Sequence, residues 1–226
     1  HGGGKIATRI GDELGIQSQY VNGRRVTDEA TIDLVTMVYG GLINKKLVAG
    51  LQKLDCNALG VTGADGNLIR AVRRPVRDID FGYVGDVTPG DVNVSLLHQL
   101  LAAGAVPVFA PLTHAAGCML NTNADTISAA LAIALKQQYE VRLIYCFEKK
   151  GVLLDVDDDS TVVTRLTEER YKQLLNDNVL ADGILPKLEN AFSSIHQGVQ
   201  EVLIGHAGDL VRNTGDDTVG TLSTAR

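Results

Sequence analysis

Three stretches of this chain carry residue types that could bind and transfer a negatively charged group. Residues 1–5 are His-Gly-Gly-Gly-Lys, residues 121–125 are Asn-Thr-Asn-Ala-Asp, and residues 183–187 are Gly-Ile-Leu-Pro-Lys. Consecutive glycines let the main chain come very close to a ligand, and their amides at a helix start form a cradle for an anion. A lysine at a helix start adds positive charge to such a cradle. Together the three stretches predict a site for phosphoryl transfer.

Taken alone, the glycine run is compatible with other functions. The oxyanion hole of lipases and esterases uses a similar stretch but requires a Gly-x-Ser-x-Gly turn, which this sequence lacks. A loose dinucleotide fingerprint, G-x-G-x-x-A, fits residues 2–7, and Asp28 or Glu29 follows at a suitable distance for a ribose-binding acid. The polar segment 17–25 is a poor second strand for that motif. A tight turn without a ligand stays equally open.

Composition and charge exclude several classes of protein. The chain has 226 residues, of which 45% are hydrophobic and 21% charged, as is typical of a soluble globular enzyme. A net charge of −6 and a pI near 5.3 argue against nucleic acid as the main partner. The three cysteines share no Cys-x-x-Cys spacing, so we expect buried free thiols in a reducing compartment and a cytoplasmic protein. The apolar runs are too short to span a membrane.

The elements that must position these motifs alternate between strand and helix along the chain. This alternation predicts an α/β fold, a three-layer αβα sandwich with a mostly parallel central sheet. We expect a single domain over residues 1–226 with a soft boundary after residue 112. The glycines should start a short helix over 5–14. Because such a turn normally follows a β-strand, we also expect a strand and a helix ahead of residue 1 in the native protein.

Local signals predict where the other elements begin and end. Thr27 or Asp28 should cap a helix that reaches Tyr39, and the glycines at 40–41 should separate it from a helix ending near Leu54. Residues 68–72 and 82–87 should form a small antiparallel excursion, and 152–160 an exposed loop. Further helices are predicted over 91–103 with Asp91 as cap, 125–138, 167–176 and 184–197, and strands over 57–62, 106–112, 141–147, 201–204 and 220–223.

The order of the motifs resembles that of the N-acetylglutamate kinase branch of the amino acid kinase family. The resemblance rests on the glycine run, on Asn-Gly-Arg-Arg-Val-Thr at 22–27, on Leu-Asn-Thr-Asn-Ala-Asp at 120–125 and on the motif ending at Lys187. These motifs are spread over most of the chain. The resemblance implies an amino acid kinase-like fold, with an acylglutamate-binding half over 1–112 and an ATP-binding half over 113–226.

The same resemblance implies a reaction and its participants. The expected activity is ATP-dependent phosphorylation of the side-chain carboxylate of an N-acyl-L-glutamate, acetyl or succinyl, to an acyl phosphate in arginine biosynthesis. Magnesium is expected to accompany ATP. The expected partners are this small substrate and a second copy of the chain in a homodimer, with neither nucleic acid nor a membrane. Bringing two anions together makes such catalysis mainly a matter of charge neutralisation and alignment.

The resemblance also assigns catalytic roles. Gly2 and Gly3 are expected to offer amides to the migrating phosphoryl group, and Lys187 to lie beside the ATP phosphates. Asp125 is expected to orient the active-site lysines. Considered alone, Asp125 would more simply cap its helix.

Binding roles follow from the same motifs. Arg25 is expected to bind the substrate α-carboxylate, a task that suits a bidentate guanidinium, although alone it would be predicted as a solvated surface charge. Asn121 and Asn123 are expected to contact the substrate. Phe147 and Gly151 belong to the nucleotide segment, where Tyr-Cys-Phe-Glu-Lys-Lys-Gly replaces the usual Thr/Ser-Asp-Val-x-Gly of the family.

Two alternatives remain open at this point. The family carries a further lysine on a strand ahead of the glycine run, and a protein without it would be a catalytically impaired, nucleotide-binding regulatory protein of the same fold. The second alternative is a dinucleotide-binding oxidoreductase.

Overall fold

A computed structural model describes residues 1–21, 23–180, 184–215 and 217–224 of the chain. Asn22 and Gly183, which belong to two of the predicted motifs, lie outside the described residues. The chain divides into two compact units, His1–Ile127 and Ser128–Arg226. Strands and helices alternate in both units, which confirms the predicted mixed α/β class. Among the described residues, no helix has the length and apolar character needed to cross a membrane.

The first unit begins with the predicted short helix and contains most of the small strand pairs. Its elements in chain order are α1 Gly4–Glu13, β1 Gln19–Val21, β2 Arg24–Val26, α2 Glu29–Val35, α3 Asn44–Gln52, β3 Ala58–Val61, β4 Val72–Arg73, β5 Gly85–Asp86, α4 Val94–Ala102, β6 Val106–Phe109, β7 Leu112–Ala115, β8 Cys118–Asn121 and the start of α5 Ala124–Leu135.

A parallel pair and three hairpin-like pairs organise this unit. Strand β3 pairs in parallel with β6, which requires the crossover connection that α4 and the β4–β5 excursion supply. The antiparallel pairs are β1 with β2, β4 with β5, and β7 with β8. The β1–β2 hairpin was not predicted, because its residues are polar and its strands have three residues each. The predicted strand over 106–112 is shorter and ends at Phe109.

The segment Thr36–Ile43 is a π-helix that joins α2 to α3 without a break. The prediction that Gly40 and Gly41 separate two helices is therefore wrong. π-helical turns are rare and frequently lie at functional sites. Here the wide turn belongs to a core that includes Val35, Val38 and Leu112.

The second unit has a four-stranded sheet with helices beside it. Its elements are β9 Arg142–Phe147, β10 Arg165–Thr167, α6 Glu168–Asn176, α7 Leu185–His196, β11 Glu201–His206, α8 Leu210–Asn213 and β12 Thr221–Thr224. The strand order is β10-β12-β11-β9. Strands β11 and β9 are parallel, as are β10 and β12, while β11 and β12 are antiparallel. Leu143, Val202 and Ile204 are buried in one core cluster of this unit, as expected for apolar strands covered by helices.

Capping side chains decide several helix starts. Thr167 accepts a hydrogen bond from the Arg170 amide at 3.2 Å, which confirms the predicted start of α6. The predicted cap of α4 is wrong, because Asn93 accepts from the Leu96 amide while Asp91 closes a capping box with Thr88 one turn earlier. The cysteines are free, but Cys118 and Cys146 are exposed and not buried as predicted, since both lie on partly exposed strand faces.

Asp28 caps α2, as predicted, and this cap should be measurable. Its carboxylate accepts a hydrogen bond from the Thr31 amide at 2.8 Å. Asp28→Ala should lower the free energy of unfolding by about 1 kcal/mol at pH 7, the usual contribution of such a cap. The hydrogen bonds from Thr31 lower the pKa of Asp28. The contribution is therefore complete above the ordinary carboxyl pKa of about 4 and is lost as the pH falls through the lowered value.

Urea unfolding at pH 7 and at pH 3 checks this expectation. Asp28→Asn is the matched control, because asparagine caps equally well but has no carboxyl group to titrate. Equal stability of the wild type and Asp28→Ala at pH 7 would contradict the assignment of the cap.

Candidate active site

The glycine run lies at the start of α1 and presents two glycines in different surroundings. Gly3 is the N-cap residue of the helix, so the main-chain amides that follow it belong to a helix start. Gly2 is exposed, and a Cβ atom added to it would meet no atom within 4 Å. Open space above an amide-rich turn is what a bound phosphoryl group needs.

Gly3 instead packs against the π-helix. An added Cβ at this position would overlap the Cδ1 atom of Ile43 and lie 3.0 Å from the ring of Tyr39. A side chain at position 3 would therefore force the Ile43 side chain to move and would crowd the ring of Tyr39. The two predicted glycines therefore differ, with open space at Gly2 and close packing at Gly3.

Arg25 is buried beside the glycine run, with 7% of its surface exposed. The alternative that it is a solvated surface charge is therefore wrong. Its guanidinium donates to the Gly4 carbonyl oxygen at 3.0 Å and to the Thr8 hydroxyl at 2.8 Å, and it also bonds to the Ser18 hydroxyl. The ring of Tyr20 covers it at 4.8 Å. These contacts hold a positive charge within the same unit as the glycine amides.

Tyr39 was not predicted as a site residue, but it lies next to both the glycine run and Arg25. Its ring faces Gly3, and its hydroxyl is close enough to Arg25 for charge and hydrogen bonding to affect it. Burial raises the pKa of the Tyr39 phenol, and the Arg25 guanidinium partly opposes this rise. In the sequence, Tyr39 stands next to two glycines. This pattern indicated a break between helices and gave no sign that Tyr39 belongs to the site.

The Asn121 side chain is linked to the strand that carries Arg25. Its amide nitrogen donates to the hydroxyl of Thr27 at 3.1 Å, and Thr27 is fully buried two residues after Arg25. The main chain of Tyr83 lies between Thr27 and Asn121. Its nitrogen donates to the Thr27 carbonyl, and its carbonyl accepts from the Asn121 main-chain amide. The structure therefore links Arg25 and Asn121, two predicted substrate-binding residues, through the segment that contains Tyr83.

Asn123 and Asp125 lie at the start of α5. The oxygen of the Asn123 side chain accepts from the Thr126 amide at 3.0 Å, so Asn123 is the capping residue. The simpler alternative for Asp125, that it caps this helix, is therefore wrong. The Asp125 carboxylate is near the start of the glycine run, close enough for its charge to act on the main-chain nitrogen of His1. The structure therefore brings a negative group close to the glycines, and its predicted role in orienting lysines stays a prediction.

In the second unit, Lys187 lies in the first turn of α7, as predicted. Its ammonium group is 5.4 Å from the ring centre of Tyr145 and 5.8 Å from that of Phe147. Both aromatic residues belong to β9 and lie on the same face of the strand. Two rings that attract a cation restrict where the ammonium group can lie. Phe147, predicted to contact the nucleotide, therefore contacts the predicted phosphate-binding lysine.

Gly151 is buried and packs against β12. A Cβ atom added to it would lie 2.5 Å from the Thr221 hydroxyl oxygen, which itself accepts a hydrogen bond from the Val152 amide. Of the two lysines before it, Lys149 donates to the carbonyl of Val156, and Lys150 is 4.0 Å from the Asp159 carboxylate. These contacts connect both lysines to the acidic segment 155–159.

Groups that suit an anion occur in both units of the chain. Among the described residues, no group of three or more His, Cys, Asp or Glu side chains could hold a metal ion. In the first unit the groups that suit an anion are the amides at Gly2 and Gly3, and in the second unit the group is the ammonium of Lys187. Magnesium that arrives with ATP is typically held by the phosphates and one or two carboxylates, so no dedicated protein cage is required.

Comparison with known proteins identifies the family of the chain. The model of the amino acid kinase family matches residues 1–206. The chain belongs to the amino acid kinase family. Members of this family are phosphotransferases, so the chain is an enzyme of that class, as predicted from its motifs.

Individual relatives show which members of the amino acid kinase family the chain is similar to. The chain is 54% identical over 216 residues to the acetylglutamate kinase of Bacteroides thetaiotaomicron, covering 95% of this chain and 83% of the relative. It is 53% identical over 220 residues to the acetylglutamate kinase of Phocaeicola vulgatus, covering 97% and 84%. Among solved structures, smu.665 from Streptococcus mutans superposes with a TM-score of 0.81 at 29% identity, covering 100% and 84%. These similarities confirm the predicted fold and the resemblance to N-acetylglutamate kinase.

Proposed function

We propose that this enzyme transfers the γ-phosphoryl group of ATP to the side-chain carboxylate of an N-acyl-L-glutamate, as a step of arginine biosynthesis. A carboxylate oxygen attacks phosphorus, the bond to the β-phosphate oxygen breaks, and the electron pair leaves with ADP. The product is an acyl phosphate. Acylation masks the α-amine, which would otherwise attack the activated carboxylate and form a ring.

One observation carries this proposal. Arg25 is buried next to the glycine run and joined to it through the Gly4 carbonyl, so one unit offers a carboxylate-binding cation beside an amide cradle. The acceptor of the proposed reaction needs this combination, because its α-carboxylate must be fixed while its other carboxylate meets a phosphoryl group. The names of the relatives support an acylglutamate as the acceptor and favour the acetyl form.

The remaining roles follow the motifs. We propose that Asn121 and Asn123 contact the acylglutamate, that Lys187 neutralises charge on the ATP phosphates, and that Phe147 and Gly151 shape the nucleotide side. Mg²⁺ enters with ATP and supplies further charge neutralisation. We further propose a homodimer located in the cytoplasm, for which light scattering should give twice the mass of one chain.

An ATP-dependent hydroxamate assay on the full-length protein tests the function, with N-acetyl- and N-succinyl-L-glutamate as separate acceptors. Trapped hydroxamate from either acceptor supports the proposal, and the ratio of the two rates identifies the acyl group. No hydroxamate from either acceptor would overturn it. In that case a thermal shift with ATP would indicate a binding-only regulatory protein, and a shift with NAD alone an oxidoreductase.

Arg25→Ala should raise the KM for the acylglutamate about tenfold to a hundredfold, because a hydrogen bond to a charged group contributes about 1.5–3 kcal/mol. Arg25→Lys should recover part of this loss, since lysine keeps the charge but not the planar pair of donors. Initial rates at saturating ATP provide the measurement. Arg24→Ala is the matched control, because Arg24 is exposed. An unchanged KM in Arg25→Ala would exclude Arg25 from the substrate site.

A further inference from the structure

We propose that Asn44 is a positioning residue, which selects the tautomer of His1 and thereby aims the N–H group of Gly3. Asn44 is the first residue of α3 and only 1% of its surface is exposed. It lies directly after the π-helix, and its side chain reaches both strand β6 and the residue that precedes the glycine run. The inference rests on the proposed function, in which this run binds the phosphoryl group.

The hydrogen bonds of Asn44 fix which atom is nitrogen. One side-chain atom lies 2.8 Å from the carbonyl oxygen of Val108, which can only accept, so this atom is the Nδ2 donor. The same Nδ2 lies 3.2 Å from Nε2 of His1. Both hydrogens of the amide are therefore used, one on each partner. His1 must accept at Nε2.

This contact determines where the neutral imidazole carries its proton. A neutral histidine has one donor nitrogen and one acceptor nitrogen, so a ring that accepts at Nε2 carries its proton on Nδ1. Nδ1 of His1 is 2.8 Å from the carbonyl oxygen of Gly2. In this tautomer Nδ1–H donates to that carbonyl. The Gly2 carbonyl is then held in a single direction, at a residue whose surroundings leave it otherwise free to rotate.

The direction of the Gly2 carbonyl sets the direction of the next amide. The described peptide bonds are trans, so the C=O of Gly2 and the N–H of Gly3 lie in one plane and point in opposite directions. Holding the carbonyl toward His1 keeps the Gly3 N–H turned away from the ring. A donor aimed in advance loses no energy to reorientation when charge develops in the transition state. Asn44 thus acts on the proposed phosphoryl site without touching a substrate.

The first test reads the tautomer directly in the full-length protein. Nitrogen-15 NMR of the His1 ring, recorded where the ring is neutral, should show a protonated Nδ1 and a bare Nε2. A ring protonated at Nε2 in the wild type would overturn the proposal. This measurement needs no substrate, so it is independent of the proposed function. If no acyl phosphate forms, the proposed function fails, whereas the tautomer is still decided.

The second test is kinetic. Asn44→Leu should lower kcat about tenfold while changing both KM values far less, as expected when a donor to the transition state is misdirected. Asn57→Leu is the matched control, because exposed Asn57 makes a single side-chain bond, to the Gly104 carbonyl, and should leave kcat unchanged. Equal kcat values in Asn44→Leu and the wild type would overturn the proposal.

A pair of His1 variants keeps the test decisive if Asn44→Leu does not fold. His1→Asn places an amide donor near the position of Nδ1, whereas His1→Gln places an amide near the position of Nε2. Asparagine should therefore retain the bond to the Gly2 carbonyl and several times more activity than glutamine. Equal activity of the two variants would contradict the proposed link between His1 and the glycine run.

Discussion

Lys187→Ala should lower kcat by about a hundredfold or more, the usual effect of removing one group that stabilises transition-state charge. The proposed reaction moves a phosphoryl group whose negative charge is spread over three oxygens in the transition state, and a fixed ammonium group is a direct means of neutralising it. In the structure, Tyr145 and Phe147 lie 5.4 and 5.8 Å from this ammonium and restrict its position. Initial rates in the hydroxamate assay at saturating substrates provide the measurement.

Two further variants separate the charge of Lys187 from its packing. Lys187→Met keeps an unbranched side chain against the two rings but has no charge, so it should be as inactive as Lys187→Ala. Lys172→Ala is the matched control in the same unit, because Lys172 is exposed on α6 and pairs with Glu168 at 2.6 Å. It should retain full activity. An active Lys187→Met variant would show that the aromatic contact matters and the charge does not.

The second large effect concerns Gly2 and Gly3. Replacing Gly2 by alanine should lower activity, whereas replacing Gly3 should lower stability. Gly2→Ala should fold normally, because its added Cβ meets nothing within 4 Å, but the methyl group should block the phosphoryl group and lower kcat/KM. Gly3→Ala should destabilise the first unit, because its Cβ would overlap Ile43 and crowd Tyr39. Overpacking of this kind typically costs about 1–3 kcal/mol.

Thermal unfolding and kinetics together distinguish the two glycine variants. Gly2→Ala should keep the melting temperature of the wild type, whereas Gly3→Ala should melt several degrees lower. Gly41→Ala serves as a control for adding a methyl group nearby, because a Cβ at Gly41 also meets nothing within 4 Å. A Gly2→Ala variant with wild-type kinetics would remove Gly2 from the proposed phosphoryl site.

Helix starts could be predicted from the sequence where a side chain and a nearby amide decide them. Thr167 and Asp28 are such cases, because each accepts a hydrogen bond from an amide three residues later. The cap of α4 was harder to predict, since Asp91 offers an acceptor as good as that of Asn93 and lies only two residues earlier. The buried strand β9 was also predictable, because its apolar residues suit a strand covered by helices.

The features that could not be predicted depend on tertiary packing. The two glycines at 40–41 indicated a break, but the π-helix continues through them because Tyr39 and Ile43 fit beneath Gly3. The β1–β2 hairpin is short, and the buried Arg25 bonds to Gly4, Thr8 and Ser18. Residues far apart in sequence supply these contacts, so local patterns carry no signal for them.

The wide turns of Thr36–Ile43 also set the rotational phase of everything that follows them on the same helix. Each such turn holds one residue more than an α-helical turn, and one residue corresponds to about 100° of rotation around the axis. If the same eight residues were wound as an α-helix, Asn44 would therefore face another side, away from Val108 and His1. The wide turns thus decide whether this helix reaches the glycines at all.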